Sequence, residues 1–341
     1  MAPKIFNKLP KDIQNLHDLQ LFKKTLVVFS LFADQVNTWI TINEPMTMCE
    51  SGYRALVAPR IANYEIGTLL CSKHILLAHA KAYRIYEEEF KPKYGYLHIF
   101  IYMFIYIHCA NFKIFFGRYS HPIYSAEGGW PPALEKYMAE KSEKEGYLRS
   151  RLPAFTPEEI ELMRGSYDYF ALNHYTSRTV RAAHPGENVG EFLGEGIDEV
   201  GAVLESRPEW EYLAFSWLKV NPEGLRNNLR QIKQQYGDVR VMITENGYSD
   251  SGDLDDVERV RYYQEYLKQV LLAIREDEVN VVGYTAWSLM DNFEWTAGYQ
   301  SRFGLVAVDF SDPRRPRTPK ASANYYRGVV RARSLDVHAQ Q

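Results

Sequence analysis

Residues 221–247, NPEGLRNNLRQIKQQYGDVRVMITENG, constrain the fold more than any other stretch of the chain. Pro222 stands in a first helical turn and Gly237 supplies the stop. Val239, Val241, Met242, Ile243 and Thr244 come next as an apolar, largely β-branched run, the pattern of a buried strand. A helix running straight into a buried strand is one step of a parallel α/β sheet or barrel. The alternation recurs along the chain. Ile66, Leu69, Leu70, Leu77 and Ile85 fall near helical spacing within 65–90. FTPEEIELMRG opens on Thr156 as N-cap, with Pro157 in the first turn and Glu159 closing a capping box. Residues 255–277 read as another helix, succeeded by the strand VNVVGYTAW, and a last helix starts near Thr318-Pro319. No internal repeat, heptad run or long linker divides the 341 residues, a length that fits one large α/β domain as well as two.

The strand that begins at Val239 ends on Glu245-Asn246-Gly247. A glutamate at the tip of a buried strand must be paired or used. A second one exists: Trp39, Ile40, Thr41 and Ile42 lead into Asn43-Glu44-Pro45, and Pro45 forbids smooth continuation of the ladder. Either glutamate alone reads equally well as a salt-bridged structural residue. Two strands that each deliver a glutamate at the C-terminal end match what a (β/α) barrel needs for an active site. Facing carboxylates argue for glycoside hydrolysis, one as acid/base and the other as nucleophile or base.

Composition excludes little. Forty basic and 43 acidic residues leave a formal charge of -3, so no nucleic-acid partner is expected. Cys49, Cys71 and Cys109 show neither metal spacing nor a disulfide framework. MAPKIFNKLP lacks the apolar core of a signal peptide, and the compartment stays open. Twenty-five tyrosines and six tryptophans suit sugar stacking and ordinary core packing alike. One segment breaks the pattern. Within 97–116 the chain is almost solidly apolar and aromatic, with no charged residue until Lys113. It is marginal as a membrane span, since it carries His98, His108 and Asn111, and no membrane contact is expected; as a single buried strand it is too long.

TINEP (41–45) and ITENG (243–247) resemble the two signature segments of glycoside hydrolase family 1, the β-glucosidase, lactase and myrosinase family. GRYSHPIYSAEGGWPP, DYFALNHYTS, FSWLKVNPEGLR, GYTAWSLMDNFEWTAGYQSRFGLVAVDF and DPRRPRTPKASANYY resemble further segments in the family's order, with the tone of its animal, particularly insect, branch. The resemblance implies a (β/α)8 TIM barrel and a retaining mechanism, with Glu245 as nucleophile and Glu44 as acid/base. It implies that Asn43 contacts the sugar 2-hydroxyl, that Tyr175 orients the nucleophile, and that Trp287 forms a platform under the glycon. Glu294 and Trp295 match the pair that holds the remote glycon hydroxyls, Phe303 the pocket wall, and Trp217 the aglycone side. Tyr175, Phe303 and Trp217 also read as plain core residues. A small-molecule β-glycoside or oligosaccharide is the implied substrate, with no metal or organic cofactor. The other reading is a catalytically inactive relic or sugar-binding fragment of the same family.

The chain departs from the family's pattern in two places. NKLPKDIQNL resembles the segment after the family's third strand, so the first three βα units are expected to be missing. The run 97–116 stands where the fifth strand and its loop belong, flanked by KPKYG and GRYSHPIYS, which do match; a translated intron accounts for it most simply. The expectation is therefore one partial barrel domain over 1–341, with strands resembling only the fourth, sixth, seventh and eighth, unable to close and prone to fold poorly.

Overall fold

The computed structural model describes residues 27–29, 31–54, 56, 63–94, 98–104, 117–189, 196–197, 199, 201–210 and 218–336, those of 98–104 without their side chains. Its centre is a parallel sheet of five strands: β1 (Thr38–Ile42), β2 (His98–Phe104), β3 (Phe170–Asn173), β7 (Val241–Asn246) and β8 (Val281–Ala286), in that spatial order. A small antiparallel sheet comes after β3, with β4 (Thr179–Ala182) and β5 (Gly196–Ile197) on either side of β6 (Ala202–Glu205). Near the C-terminus β9 (Val306–Val308) pairs with β10 (Arg317–Pro319).

The helices lie where their end signals set them. Helix α1 (Pro45–Tyr53) comes directly after β1, and α2 (Tyr64–Ile85) runs on through a π turn at Tyr86–Phe90. Then come α3 (Gly117–Tyr124), α4 (Pro132–Lys144), α5 (Pro157–Met163), α6 (Pro222–Tyr236), α7 (Val257–Arg275) and α8 (Ala321–Ala332). The capping box of α5 is present, with Thr156 and Glu159 each satisfying the other's backbone N–H. Helix α6 has Pro222 in its first turn and Gly237 at its C-cap with φ 75°. Leu225, Leu229 and Ile232 of α6 recur at helical spacing and are fully buried, each stabilising the fold by roughly 1.5–3 kcal/mol. In α2 the apolar set splits: Leu69 and Leu77 are buried, whereas Ile66 and Leu70, four apart on one face, are exposed.

Strands β3 and β7 lie inside the sheet and are buried almost throughout, as a parallel strand covered on both faces should be. Strands β1 and β8 are the edges among the described residues, and each is partly exposed. Two expectations are corrected here. The apolar run does supply a strand: β2 pairs in parallel with β1 (Ile42 opposite Ile101) and with β3 (Met103 opposite Leu172). Seven residues of it, free of charge, form β2, which suits a strand with neighbours on both sides; residues 105–116 lie outside the described residues. Among the described residues no helix is long and apolar enough to cross a membrane.

The second correction concerns the cysteines. Cys49 of α1 and Cys71 of α2 form a disulfide, 22 residues apart in sequence. It ties the helix that starts just past Glu44 to its neighbour. Beside it His79 of α2 bridges Thr41 of β1, at 2.7 Å, and the carbonyl of Ser166, at 2.8 Å; burial lowers this imidazole to about 4, so it is neutral. Closing a loop of 22 residues restricts the unfolded chain by about 3 kcal/mol. Reduction with dithiothreitol, or the Cys49→Ala/Cys71→Ala pair, is expected to lower the stability measured by urea unfolding by up to that amount; an unchanged midpoint would show the two thiols unlinked in solution.

Candidate active site

All the strands of the central sheet run parallel, so their C-terminal ends open on one side, and the acidic side chains are there. Glu44 comes just after β1, Asn173 ends β3, Glu245 lies in the last turn of β7 and Trp287 comes just after β8. Glu44 adopts φ 46° and ψ 63°, a left-handed conformation that a non-glycine residue seldom holds. Pro45 next to it discourages the right-handed alternative and starts α1. Such strain, of order 1–3 kcal/mol, collects at functional positions because the surrounding structure overrides it.

Asn173 joins the two glutamate-bearing strands. Its Nδ2 donates to Glu44 Oε1 at 3.0 Å and to Asn43 Oδ1 at 3.3 Å, and its Oδ1 accepts from Thr244 Oγ1 at 2.8 Å. It lies opposite Glu245 in the β3–β7 register. The hydroxyl of Tyr175 donates to Glu245 Oε2 at 2.6 Å. Behind the carboxylate Asn246 is fully committed: Nδ2 donates to the carbonyl of His174 (2.6 Å) and to Tyr262 (2.8 Å), and Oδ1 accepts from Tyr284 (2.5 Å). Gly247 is required by close approach, because a Cβ there would meet the Trp287 carbonyl at 2.1 Å.

Burial shapes the charges. Glu245 is 7% exposed. Desolvation first, and then the neighbouring Glu44, push it up to about 8, against the Tyr175 hydrogen bond that favours its charged form. Glu44 is half-buried as a residue, yet its carboxyl is desolvated and is raised too, against the hydrogen bond from Asn173. Glu294 is raised by burial and lowered by its bond from Trp287 Nε1 (3.2 Å). Burial thus raises both strand-end carboxyls, and Glu245 is raised further by the charge of Glu44.

The other positions named from sequence divide. Phe303 is buried with its ring edge-on to Tyr175, centroids 5.8 Å apart, and Leu218 completes that cluster with Trp287 against it. Asn43 is exposed but bonded to Asn173. Trp295 stands apart, 75% exposed and with φ 47°. Trp217 lies outside the described residues. Asn173 was missed in the sequence; the signal available was a third strand, FALN, ending on a polar residue within DYFALNHYTS.

The comparisons agree with this geometry. The family description Glycosyl hydrolase family 1 matches residues 12–335. Myrosinase 1 of Brevicoryne brassicae is 40% identical over 328 residues, covering 89% of this chain and 67% of its own. The cytosolic beta-glucosidase of Cavia porcellus is 35% identical over 326 residues, covering 90% and 68%. The solved structure of an aphid myrosinase superposes with a TM-score of 0.83 at 37% identity, over 94% of this chain and 70% of that one. A (β/α)8 barrel is the fold implied by these neighbours.

The raised carboxyl predicts a pH-dependent stability. Glu245 ionises near its ordinary 4.5 when unfolded but only near 8 when folded, so the unfolded state sheds the proton first. Stability is therefore full below about 4.5 and is lost as pH rises towards 8. Glu245→Gln, which cannot ionise, should match the parent in thermal melts at pH 4 and exceed it by up to a few kcal/mol at pH 8; the reverse trend would contradict the assignment of the shift.

Proposed function

The chain belongs to glycosyl hydrolase family 1, a family of β-glycosidic bond hydrolysis, and we propose that it works by retention, with Glu245 as nucleophile and Glu44 as acid/base. The observation that carries this reading is the Tyr175–Glu245 hydrogen bond of 2.6 Å beside a second raised carboxyl linked through Asn173. Tyr175 donates to Glu245 and so favours the anion that attacks the anomeric carbon. Glu44, kept protonated chiefly by its buried setting, gives its proton to the departing oxygen. Once Glu245 is esterified its charge is gone, the Glu44 carboxyl falls towards its ordinary range, and it takes a proton from the water that hydrolyses the glycosyl-enzyme.

Asn43 serves the sugar hydroxyl nearest the reacting carbon, with Asn173 holding both Asn43 and Glu44. Trp287 lies under the glycon, Glu294 takes its remote hydroxyls beside Trp295, and Phe303 closes the wall; the family resemblance assigns Trp217 to the aglycone side. Binding energy from these remote contacts can be used to distort the reacting ring. The substrate is a small-molecule β-glycoside or oligosaccharide. Relatives are called both myrosinase and β-glucosidase; a proton donor at Glu44 favours an oxygen leaving group, which needs protonation, over a sulfur one. On this reading 1–341 is one partial barrel domain, and the five parallel strands are the fourth to eighth of a (β/α)8 order.

Leaving-group dependence tests the roles. Glu44→Gln should lower kcat/KM for a phenyl β-glucoside by about 10²–10⁴-fold and for a dinitrophenyl β-glucoside far less, because that leaving group needs no proton. Glu245→Gln should silence both, and the parent should release the β-anomer first by NMR. Equal losses in Glu44→Gln for the two substrates would remove it from the acid role, and a parent inert towards every glycoside, yet binding sugar, would favour a sugar-binding fragment.

A further inference from the structure

Trp287, Glu294 and Phe303 belong to one excursion, residues 287–305, whose ends are laced together. Ser288 N donates to the Phe303 carbonyl (3.0 Å), and Leu305 N donates to the Ser288 carbonyl (2.8 Å). The carbonyls on either side of Phe303 point to something else. Arg259, in the first turn of α7, is 0% exposed and aims its guanidinium between them. Its Nη2 donates to the Arg302 carbonyl (2.7 Å) and its Nη1 to the Gly304 carbonyl (3.1 Å). Its Nε donates to the carbonyl of Tyr248, three residues past Glu245, at 3.0 Å. The remaining donors meet Asp250, 2.6 Å from Nη2, and Asp256. The fork thus donates to three carbonyls and to Asp256, with the Asp250 carboxylate beside it as an ion pair.

The anionic partners are themselves held. Lys320, also 0% exposed, lies 3.3 Å from Asp291 and 3.7 Å from Asp250. Asp291 accepts from the backbone N–H of Gly304 (2.9 Å), and a Cβ on Gly304 would meet Asp291 N at 2.1 Å. Asp250 and Arg302 exchange backbone hydrogen bonds (3.0 and 3.1 Å), which joins the loop after β7 to the returning limb of the excursion. Asp256 accepts from the N–H (2.8 Å) and hydroxyl (2.5 Å) of Ser322, at the start of α8.

We infer that Arg259 is a positioning residue for the sugar site, setting where Phe303 and the excursion bearing Trp287 and Glu294 stand relative to Glu245, and hence which glycon is preferred. The inference rests on the reading under Proposed function. Arg259 touches no substrate; it fixes the carbonyls flanking Phe303 while the Phe303 ring meets Tyr175, the residue bonded to Glu245. A hydrophobic replacement would leave two acids and three carbonyls without their donor. Lysine keeps the charge, but its single ammonium cannot reproduce the fork.

The test compares Arg259→Lys with the parent on p-nitrophenyl β-glucoside and p-nitrophenyl β-xyloside, which lacks the hydroxymethyl group. A purely structural role lowers the active fraction and scales both substrates equally, leaving KM and the glucoside-to-xyloside ratio of kcat/KM unchanged. A positioning role raises KM for the glucoside and compresses that ratio about tenfold. Asp250→Asn, which keeps the fold's backbone contacts and removes one charge from the fork, is the second arm and should compress the ratio about threefold; it decides the matter if Arg259→Lys does not fold. Variants with the parental ratio and KM overturn the inference alone. A parent that hydrolyses no glycoside overturns the underlying reading, and this inference with it.

Discussion

The structure depends on keeping two ionisable carboxyls at the end of a sheet whose inner strands admit no water. Parallel pairing makes this possible, because it sends every strand's C-terminal end to the same side. It also makes it costly. Glu245 sits on a strand buried almost from end to end, and Glu44 holds a left-handed backbone just past another. Neither carboxyl ionises as it would in water. The neighbouring residues limit that cost without abolishing it. Asn173 and Tyr175 supply hydrogen bonds to the charged forms, whereas no cation meets Glu44 or Glu245 among the described ion pairs. A cation beside Glu44 would lower its carboxyl and empty it of the proton it is proposed to donate at neutral pH. Amide and hydroxyl donors moderate the shift while leaving the pair reactive.

Support for this pair comes in layers. Asn246, next to Glu245 in sequence, uses its amide on His174, Tyr262 and Tyr284, so β3, β7, β8 and α7 are joined behind the site. Tyr262 in turn donates to the carbonyl of Tyr175 at 3.3 Å, the residue whose hydroxyl is bonded to Glu245. On the other side His79 and the Cys49–Cys71 disulfide fix α1 and α2 against β1, and with them the turn that displays Glu44. Most of these groups are buried and neutral, which is why they can rigidify the site without adding charge to it.

Much of this was legible in the sequence, for identifiable reasons. Pro222 and Gly237 bracket α6, Thr156 and Glu159 form their box, and both strand-end glutamates stand out because charge rarely closes an apolar run. These signals are local, and local chemistry survives folding. The misses are of another kind. Strand β2 was hidden because a run apolar on every side has no period to read. The disulfide joins cysteines 22 residues apart in sequence on two helices, and only packing brings them together. Ile66 and Leu70 suited a helix but face solvent, since spacing fixes which residues share a face and not where that face turns. Asn173 looked like an ordinary strand-end amide until its neighbours Glu44 and Glu245 came from strands far away in sequence.

The division of labour arises from the same physics. The groups proposed to make and break bonds stand at or just past strand ends, where the hydrogen-bonded ladder fixes them. Groups proposed to read the sugar stand mostly on the excursion after β8, an edge strand among the described residues, and one of them, Trp295, is largely exposed. That loop is not part of the central ladder; backbone hydrogen bonds lace its two ends together. Here buried ions add to that lacing: one arginine and one lysine, both without solvent exposure, set between three aspartates and a row of backbone carbonyls. Buried ion pairs are poor sources of stability, because desolvation takes back most of the attraction. They are good sources of geometry, since an unpaired charge in that interior is worse than any alternative packing. A loop held in this way can differ in its sugar-facing side chains while its frame stays fixed, which lets specificity change without disturbing the two glutamates.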